Sequence, residues 1–166
     1  MNKHIIWLFT LLVFVLAGCE KDEIGNTATE ALAGEWKVTV DAVDEGGNVI
    51  AEDCYGLGHI LMNTYNTAAN TPTEMYVDDI GIFWKYKIRV KSDVNALTFA
   101  TNGAAPNEAD ECDVTIDGGK ILLGAATTPH GTPADSIVYY ISFSDDEPGM
   151  RYKVSGYRYT GLAVDD

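Results

Sequence analysis

From residue 34 onward, the chain alternates apolar and polar side chains in short segments that are separated by turns. In residues 36–42, Trp, Val and Ala alternate with Lys, Thr and Asp. This period of two buries one face of a strand and exposes the other to water. The following segments also have strand character and together predict an all-β domain: 49–51, 58–65, 75–77, 82–90, 96–100, 113–116, 120–125, 136–144 and 150–160.

Turn residues separate several of these segments. Residues 44–48 and 145–149 are rich in Gly, Asp and other residues that favour chain reversal. We also expect a tight hairpin turn at Asp117-Gly118-Gly119. Only residues 27–33 have helical character, with a threonine cap, Glu30 in the first turn and Gly34 after the end.

The number of strands predicts a closed sheet. Eight or nine strands in roughly 135 residues, with few long connections, favour a single antiparallel up-and-down β-barrel of about eight strands. Closure is favoured because it removes the exposed strand edges. A β-sandwich is the alternative architecture.

Residues at the two ends of this domain indicate a particular kind of barrel. Gly34-Glu35-Trp36 opens the first strand, and Arg158 lies in the last. Together they resemble the lipocalin-like (calycin-type) superfamily. The resemblance implies structural roles: Trp36 plugs one end of the barrel after Gly34, and Arg158 packs over the tryptophan ring. We also expect a bulge at Gly156, where the apolar phase of the last strand shifts.

The N-terminus has the pattern of a lipoprotein signal peptide. An apolar run follows Lys3, is too short to span a bilayer, and ends in Leu16-Ala17-Gly18-Cys19. We expect cleavage before Cys19 and lipid attachment to its thiol. The predicted organisation is a signal peptide (1–18), a lipidated tether with a short helical turn (19–33) and a barrel domain (34–166). An uncleaved anchor helix is the alternative.

Residues 20–23, Glu-Lys-Asp-Glu, resemble the export tag of Bacteroidetes surface lipoproteins. The resemblance implies an outer-membrane location on the cell surface; a solvated tether at the periplasmic face is the alternative. The chain has 25 acidic residues, 11 Lys and Arg, and a formal net charge of −14. Since nucleic acids and anionic bilayers attract clustered basic residues, we expect no nucleic-acid partner and membrane contact through the lipid anchor only.

Two cysteines remain once Cys19 is lipidated. Cys54 and Cys112 form an even pair in an exported domain, which favours a disulfide. Two separate thiols are the alternative, because the sequence does not place the two backbones within bridging distance.

Two apolar rows, in residues 82–90 and 137–143, are candidates for the wall of a ligand pocket. Aromatic side chains suit a lipid or another small apolar ligand. The pocket candidates are Trp84, Tyr86, Ile88, Tyr139, Ile141, Phe143 and Tyr152. A barrel of this size either holds one small ligand or is filled by its own side chains. A filled core would leave a surface module that binds an outer-membrane protein partner through the long loops 66–74 and 101–111.

The sequence has no recognisable catalytic motif. It lacks Gly-x-Ser-x-Gly, and a catalytic triad would have to combine Asp135 and Ser136 with His130. The acidic residues at 78–79 and 144–147 lack the spaced loop that wraps calcium, so we interpret them as solvated turns. We therefore expect no metal and no cofactor, and an esterase-type hydrolase is the least favoured function.

Five segments spread over the chain resemble a Bacteroidetes lipoprotein family described as "lipid-binding putative hydrolase". They are residues 32–38, 75–79, 83–87, 131–137 and 156–161. The resemblance implies a lipid-anchored β-barrel with a pocket for an apolar ligand. The hydrolase part of the description has no counterpart among the motifs of this chain.

Overall fold

A computed structural model describes residues 25–162. The strands are β1 (Gly34–Val43), β2 (Val49–Ala51), β3 (Ile60–Asn66), β4 (Glu74–Asp78), β5 (Lys87–Asp93), β6 (Thr98–Ala100), β7 (Ala105–Pro106), β8 (Asp113–Thr127), β9 (Pro133–Phe143) and β10 (Arg151–Arg158). The helical character expected at 27–33 is reduced to one 3₁₀ turn, Glu30–Leu32. Within the described range, no helix is both long and apolar enough to cross a membrane. The predicted signal peptide, Cys19 and residues 20–23 lie outside the described residues.

Eight strands close into one antiparallel barrel. Their order around the barrel is β1-β3-β4-β5-β6-β8-β9-β10, and β10 pairs back onto β1 from Trp36↔Arg158 to Val43↔Arg151. The short strands β2 and β7 are additions that pair with β1 and β8. The prediction of an all-β, lipocalin-like up-and-down barrel is confirmed, and the sandwich alternative is wrong.

The two ends of the barrel differ in charge. At the end that contains Trp36, called the Trp36 end, the connecting segments 67–73, 94–97 and 128–132 contain no Asp, Glu, Lys or Arg. At the opposite end, the segments 44–59, 79–86, 101–112 and 144–150 contain eleven Asp and Glu residues and one lysine. We call this the acidic end. The described chain enters the barrel at the Trp36 end, through the 3₁₀ turn and β1.

Alternate side chains of the strands fill the barrel interior. The largest buried ones are at most 2 % exposed and belong to one hydrophobic cluster, which includes Trp36, Met62, Met75, Tyr86, Ile88, Ile116, Ile137, Tyr139, Ile141 and Tyr152. A side chain that lined a water-sized void would keep accessible surface toward it. These side chains therefore pack against one another without a water-sized void between them.

The hairpin predicted at Asp117-Gly118-Gly119 is wrong. The chain continues through these residues as the single long strand β8, and its pairing with β9 shifts between Asp117 and Lys120. Gly118 has a φ of +61°, which suits a bulge as well as a turn. At Gly119, a Cβ would overlap the carbonyl oxygen of Phe99, so this glycine lets β6 approach β8 closely. Local glycine content does not distinguish a reversal from a bulge.

The bulge predicted at Gly156 is also wrong. The register of β10 runs without a shift through Gly156↔Val38 and Tyr157↔Lys37. Tyr157 is buried on the outer side of the barrel, where its ring lies 5.7 Å from that of His59. The apolar phase seemed to shift because Tyr157 is apolar although it lies on the outer face of the strand, where His59 contacts it. Gly156 has another role. A Cβ at Gly156 would overlap the carbonyl oxygen of Lys37 and lie 2.6 Å from Cα of Val38.

Substitution of Gly156 with alanine should loosen the seam between β1 and β10. Because the added methyl would meet backbone atoms, the two strands must separate, and we expect a loss of about 2 kcal/mol in the free energy of unfolding. Urea denaturation of Gly156→Ala measures this loss. Gly25→Ala is the control, because a Cβ there would meet open space. Gly131→Ala would not serve, since Gly131 has a positive φ that alanine rarely adopts. Equal stability of the Gly156 and Gly25 variants would contradict the close-approach role.

Candidate ligand-binding site

Trp36 and Arg158 close the Trp36 end of the barrel. The guanidinium carbon of Arg158 lies 4.4 Å from the centroid of the Trp36 ring. Arg158 Nη1 donates to the carbonyl oxygen of Ala33 at 2.6 Å, and its Nε donates to the Asp135 carboxylate at 3.1 Å. A cation over a tryptophan face contributes about 0.5 to 2 kcal/mol. The arrangement is structural, because these groups bond to one another and to the backbone.

Two further residues shape this end. Trp36 Nε1 donates to Thr64 Oγ1 at 2.9 Å, and the Thr64 hydroxyl donates to the carbonyl oxygen of Leu32 at 2.6 Å. Sequence reasoning missed Thr64. Gly34 leaves room for the guanidinium, because a Cβ there would overlap Nη1 of Arg158 and lie 3.1 Å from its Cζ.

The predicted pocket residues fall into two groups. Five of them are at most 2 % exposed and fill the interior: Tyr86, Ile88, Tyr139, Ile141 and Tyr152. Within this group, the hydroxyls of Tyr86 and Tyr139 hydrogen bond to each other. Trp84 and Phe143 lie at the acidic end instead, with stacked rings 4.7 Å apart.

The single apolar row predicted over residues 82–90 is wrong in its first half. Strand β5 begins only at Lys87, and residues 79–86 form a loop at the acidic end. Ile82 is 42 % exposed rather than inward-facing. The alternation of apolar and polar residues extends from β5 back into residues 82–86 because this loop is itself rich in apolar side chains.

Asp79 organises this loop from inside. Its side chain is fully buried, which corrects the interpretation of residues 78–79 as a solvated turn. Its carboxylate oxygens accept hydrogen bonds from five backbone amides at 2.8–3.0 Å, those of Gly81, Phe83, Trp84, Lys85 and Tyr86. A carboxylate with this number of backbone donors is well satisfied in a buried site. Asp79 therefore sets the positions of Phe83 and Trp84.

The loop places its aromatic side chains in a cluster at the acidic end. This aromatic rim consists of Tyr55, Phe83 and Trp84, which reach solvent, and of Phe143 and Tyr152, which are buried against them. Ring centroids lie 5.5 Å apart for Tyr55 and Phe83 and 5.3 Å apart for Phe83 and Tyr152. Segments 44–59 and 79–86 also expose apolar side chains next to the rim. These are Tyr55 (49 % exposed), Leu57 (38 %), Ile80 (49 %) and Ile82 (42 %).

A chain of hydrogen bonds crosses the rim. The Tyr152 hydroxyl donates to the Asp146 carboxylate at 2.6 Å, and the Tyr55 and Tyr152 hydroxyl oxygens are 2.7 Å apart. Burial, followed by the hydrogen bond to Asp146, raises the pKa of Tyr152 above its ordinary value. The Tyr152 hydroxyl therefore keeps its proton at neutral pH and donates it in the hydrogen bond to Asp146. Its oxygen accepts from Tyr55.

A cavity of about 320 Å³ opens beside the rim. Phe83 and Trp84 form its aromatic wall, and Lys85, Asp110, Cys112 and Asp145 contribute polar groups. Trp84 Nε1 donates to Asp145 at 3.2 Å, and Lys85 pairs with Asp110 at 3.2 Å. The site thus combines two aromatic side chains with two carboxylates and one lysine.

Cys54 and Cys112 carry free thiols, so the structure does not contain the expected disulfide. Both are half-buried against the core. The Cys54 thiol lies 3.5 Å from the carbonyl oxygen of Val40, and the Cys112 sulfur accepts a hydrogen bond from the Asn107 amide at 3.4 Å. Burial raises the pKa of each thiol. Each sulfur is placed by its own local partner, which corresponds to the alternative of two separate thiols.

The residues considered for a catalytic triad have other partners. Asp135 and Ser136 are neighbours in β9 and point to opposite faces of the strand. Asp135 accepts hydrogen bonds from Arg158 and from the amide of Gly124, and Ser136 donates to the carbonyl oxygen of Gly156 at 2.9 Å. His130 is exposed in the turn 128–132. The described geometry does not assemble these three residues.

The buried tyrosines make stability depend on alkaline pH. Burial raises the pKa of Tyr86 and Tyr139 above the ordinary value of 10.0. A raised folded-state pKa leaves stability intact below pH 10 and reduces it above, because the unfolded tyrosines ionise first. We expect a loss of up to about 1.4 kcal/mol per pH unit for each of the two residues.

Tyrosinate absorbance and urea denaturation between pH 9 and 11, roughly spanning the ordinary tyrosine pKa, measure this effect. Tyr139→Phe should show a shallower pH dependence than the parent protein. Ionisation of all nine tyrosines in one step while the protein stays folded would contradict it.

Comparison with known proteins places this chain in a family. No curated protein matches it at a significant level. A family model described as "lipid-binding putative hydrolase" matches residues 21–163, which includes every strand of the barrel. With a match over most of its length and the barrel fold described above, the protein belongs to the lipid-binding putative hydrolase family.

Proposed function

We propose that the protein is a lipid-anchored lipoprotein on the outer-membrane surface, and that it binds a lipid or another small apolar ligand at the acidic end of its barrel. The observation that carries the ligand site is the aromatic rim with its exposed apolar neighbours. Grouped apolar exposure of this kind marks binding surfaces in soluble domains. Because the interior is packed, the proposed site lies at the barrel end rather than at its centre.

The family supports the ligand class. A member of a lipid-binding family with a closed barrel needs an apolar surface that a lipid can reach. Trp84 and Phe143 are stacked, and Tyr55 reaches solvent. Rigid aromatic side chains give a large contact area for an acyl chain or ring system at a low cost in side-chain entropy.

The position of the N-terminus supports an orientation on the membrane. Cys19 precedes Gly25 by six residues, which span at most about 22 Å. Since the chain enters the barrel at the Trp36 end, a lipid on Cys19 would hold that end toward the bilayer. The connecting segments there lack charged side chains, whereas the acidic end would be repelled by anionic lipids. The ligand site would then face the external medium.

Lipid attachment is tested with Cys19→Ala in the host cell. Labelled palmitate should be incorporated into the parent protein and not into the variant. Protease added to intact cells should degrade the parent protein. Incorporation of label into Cys19→Ala would overturn the anchor, and full protection until the cells are lysed would overturn surface exposure.

Ligand binding is tested by native mass spectrometry of the protein purified from its host. We expect an additional mass of one small lipid-like molecule. Ile82→Asp should reduce its occupancy. Leu123→Asp should not, because Leu123 is also exposed (67 %) but lies in the half of β8 that runs toward the Trp36 end. Absence of any retained apolar molecule, or equal loss in both variants, would count against the proposed site.

A protein-binding role is the second candidate, and the packed interior favours it. The two loops considered for such a role lie at opposite ends of the barrel, because residues 66–74 follow β3 at the Trp36 end and residues 101–111 lie at the acidic end. They cannot form one continuous surface. An outer-membrane protein crosslinked to the acidic end, without any retained lipid, would select this alternative.

A further inference from the structure

We propose that the ligand is a cationic amphiphile: its positively charged, hydrogen-bond-donating head group lies in the cavity beside Trp84, and its apolar tail lies on the aromatic rim. This inference rests on the proposed function and adds the chemical class of the ligand. Three independent features of the acidic end carry it: the walls of the cavity, the direction of the hydrogen bonds across the rim, and the surrounding charge.

The cavity offers a cation two aromatic side chains and a carboxylate. Phe83 and Trp84 form the aromatic wall, and Asp145 stands at its edge. Asp145 accepts a hydrogen bond from Trp84 Nε1, and it has no Lys or Arg partner within residues 25–162. The other carboxylate, Asp110, is paired with Lys85. Ammonium groups bind favourably over Trp and Phe faces, and more so next to a carboxylate.

The hydrogen-bond chain across the rim has a fixed direction. Asp146 is a carboxylate and can only accept, so Tyr152 donates to it. The Tyr152 oxygen then accepts the single proton of Tyr55. Tyr55 is 49 % exposed and presents only oxygen lone pairs to a ligand. Its ring lies 6.2 Å from that of Trp84, so its oxygen can accept a hydrogen bond from an ammonium or hydroxyl group bound beside Trp84. It has no proton left for a carboxylate.

The charge around the cavity has the same sign preference. The four connecting segments at the acidic end contain eleven acidic residues and one lysine, Lys85. A field of this sign concentrates cations near the cavity and repels fatty-acid carboxylates and phosphates. Screening by salt weakens this effect at the surface and less so in the cavity.

A second depression offers the opposite chemistry. An open groove of about 600 Å³ lies over the short strand β6 and is lined by two lysines, Lys91 and Lys120, and one carboxylate, Asp93. It contains one aromatic side chain, Phe99, which is buried. An anionic amphiphile would prefer this groove, so the charge of the ligand distinguishes the two locations.

The experiment compares three amphiphiles with the same tail: dodecylammonium, dodecanol and dodecanoate, each as monomers. Residues 20–166 are used, because all strand pairings among the described residues lie within 34–158. Binding is followed by tryptophan fluorescence, which reports on Trp84 at the rim; Trp36 is fully buried at the other end. We expect dodecylammonium to bind at least about tenfold more tightly than dodecanoate, a difference of about 1.4 kcal/mol. Dodecanol should bind with intermediate affinity.

Variants assign the preference to the cavity. Asp145→Asn should reduce it several-fold, and the control Glu147→Gln should not, because it removes the same charge from the same turn without lining the cavity. Tyr55→Phe should weaken binding of dodecanol and dodecylammonium, whereas Tyr76→Phe, on the outer wall, should have no effect.

Each remaining result overturns the inference. Dodecanoate binding as tightly as dodecylammonium would overturn it. If dodecanoate binding were then lost in Lys120→Gln, the ligand would lie in the groove over β6, and the proposed lipid-binding function would still stand. Equal effects of Asp145→Asn and Glu147→Gln would show that the preference for a cation comes from long-range attraction by the acidic end and not from binding in the cavity. Failure of all three amphiphiles to bind would overturn the ligand class, and the retained mass in native mass spectrometry would separately decide the proposed function.

Discussion

Replacement of Trp36 with alanine is expected to lower the free energy of unfolding by about 4 kcal/mol, the usual range for removing a buried tryptophan. The ring is fully buried, and its loss would leave a cavity at the Trp36 end. It would also remove the donor to Thr64 and the ring face beneath Arg158. Urea denaturation followed by circular dichroism measures the change.

Arg158→Met separates the packing of the ring from the cation contact. It keeps an unbranched side chain over the ring and removes the charge, so we expect a smaller loss of about 1 to 2 kcal/mol. A Trp36→Ala variant within 1 kcal/mol of the parent, a quarter of the usual cost of this truncation, would show that the ring does not seal the barrel. Ligand binding at the acidic end should persist in both variants, because the rim lies at the other end.

Replacement of Asp79 with asparagine is expected to cost about 3 kcal/mol, because it breaks a buried charge-assisted network. The amide offers one acceptor oxygen, and its NH₂ group would face backbone N–H donors that now bind a carboxylate oxygen. At least two backbone donors would lose their acceptor. The loop of residues 79–86 should loosen, and Trp84 fluorescence should shift toward that of a solvent-exposed indole.

Asp113→Asn is the matched control for Asp79→Asn. This substitution makes the same chemical change at an exposed position of β8. The free energy of unfolding of the Asp113→Asn variant should therefore stay within about 0.5 kcal/mol of the parent value. Amphiphile binding should weaken in Asp79→Asn even in the fraction that remains folded, since the rim depends on this loop. Unchanged stability and fluorescence in Asp79→Asn would contradict the role assigned to the buried carboxylate.

Three structural polar residues share a signal that the sequence does contain. Thr64 follows the inward phase of Ile60 and Met62, and Asp79 follows the inward phase of Met75 and Val77. Asp135 likewise precedes Ile137, Tyr139 and Ile141 in phase. A polar side chain on the buried face near a strand end needs a hydrogen-bond partner. The phase therefore indicates that such residues are structural, but it does not identify their partners, which lie on other strands or loops.

Other features could not be read from local pattern. The glycines at 118–119 suit a hairpin and a bulge equally, and the close approach of Phe99 from the neighbouring strand to Gly119 is not visible in the local sequence. Residues 82–86 have strand-like alternation, yet the loop is held by a carboxylate that precedes it. In each case, the deciding contact comes from a residue outside the segment.

The all-β class was determined by the sequence itself, because alternation specifies which face of each strand is buried. The strand number favoured a closed barrel over a sandwich, and the resemblance to lipocalin-like proteins implied the contact of Arg158 with Trp36. Tertiary structure alone decided that the interior is packed and that Tyr55, Phe83 and Trp84 come together at the acidic end. The physical reason is volume: the space inside a barrel depends on how side chains from eight strands interdigitate, and no single segment encodes that sum.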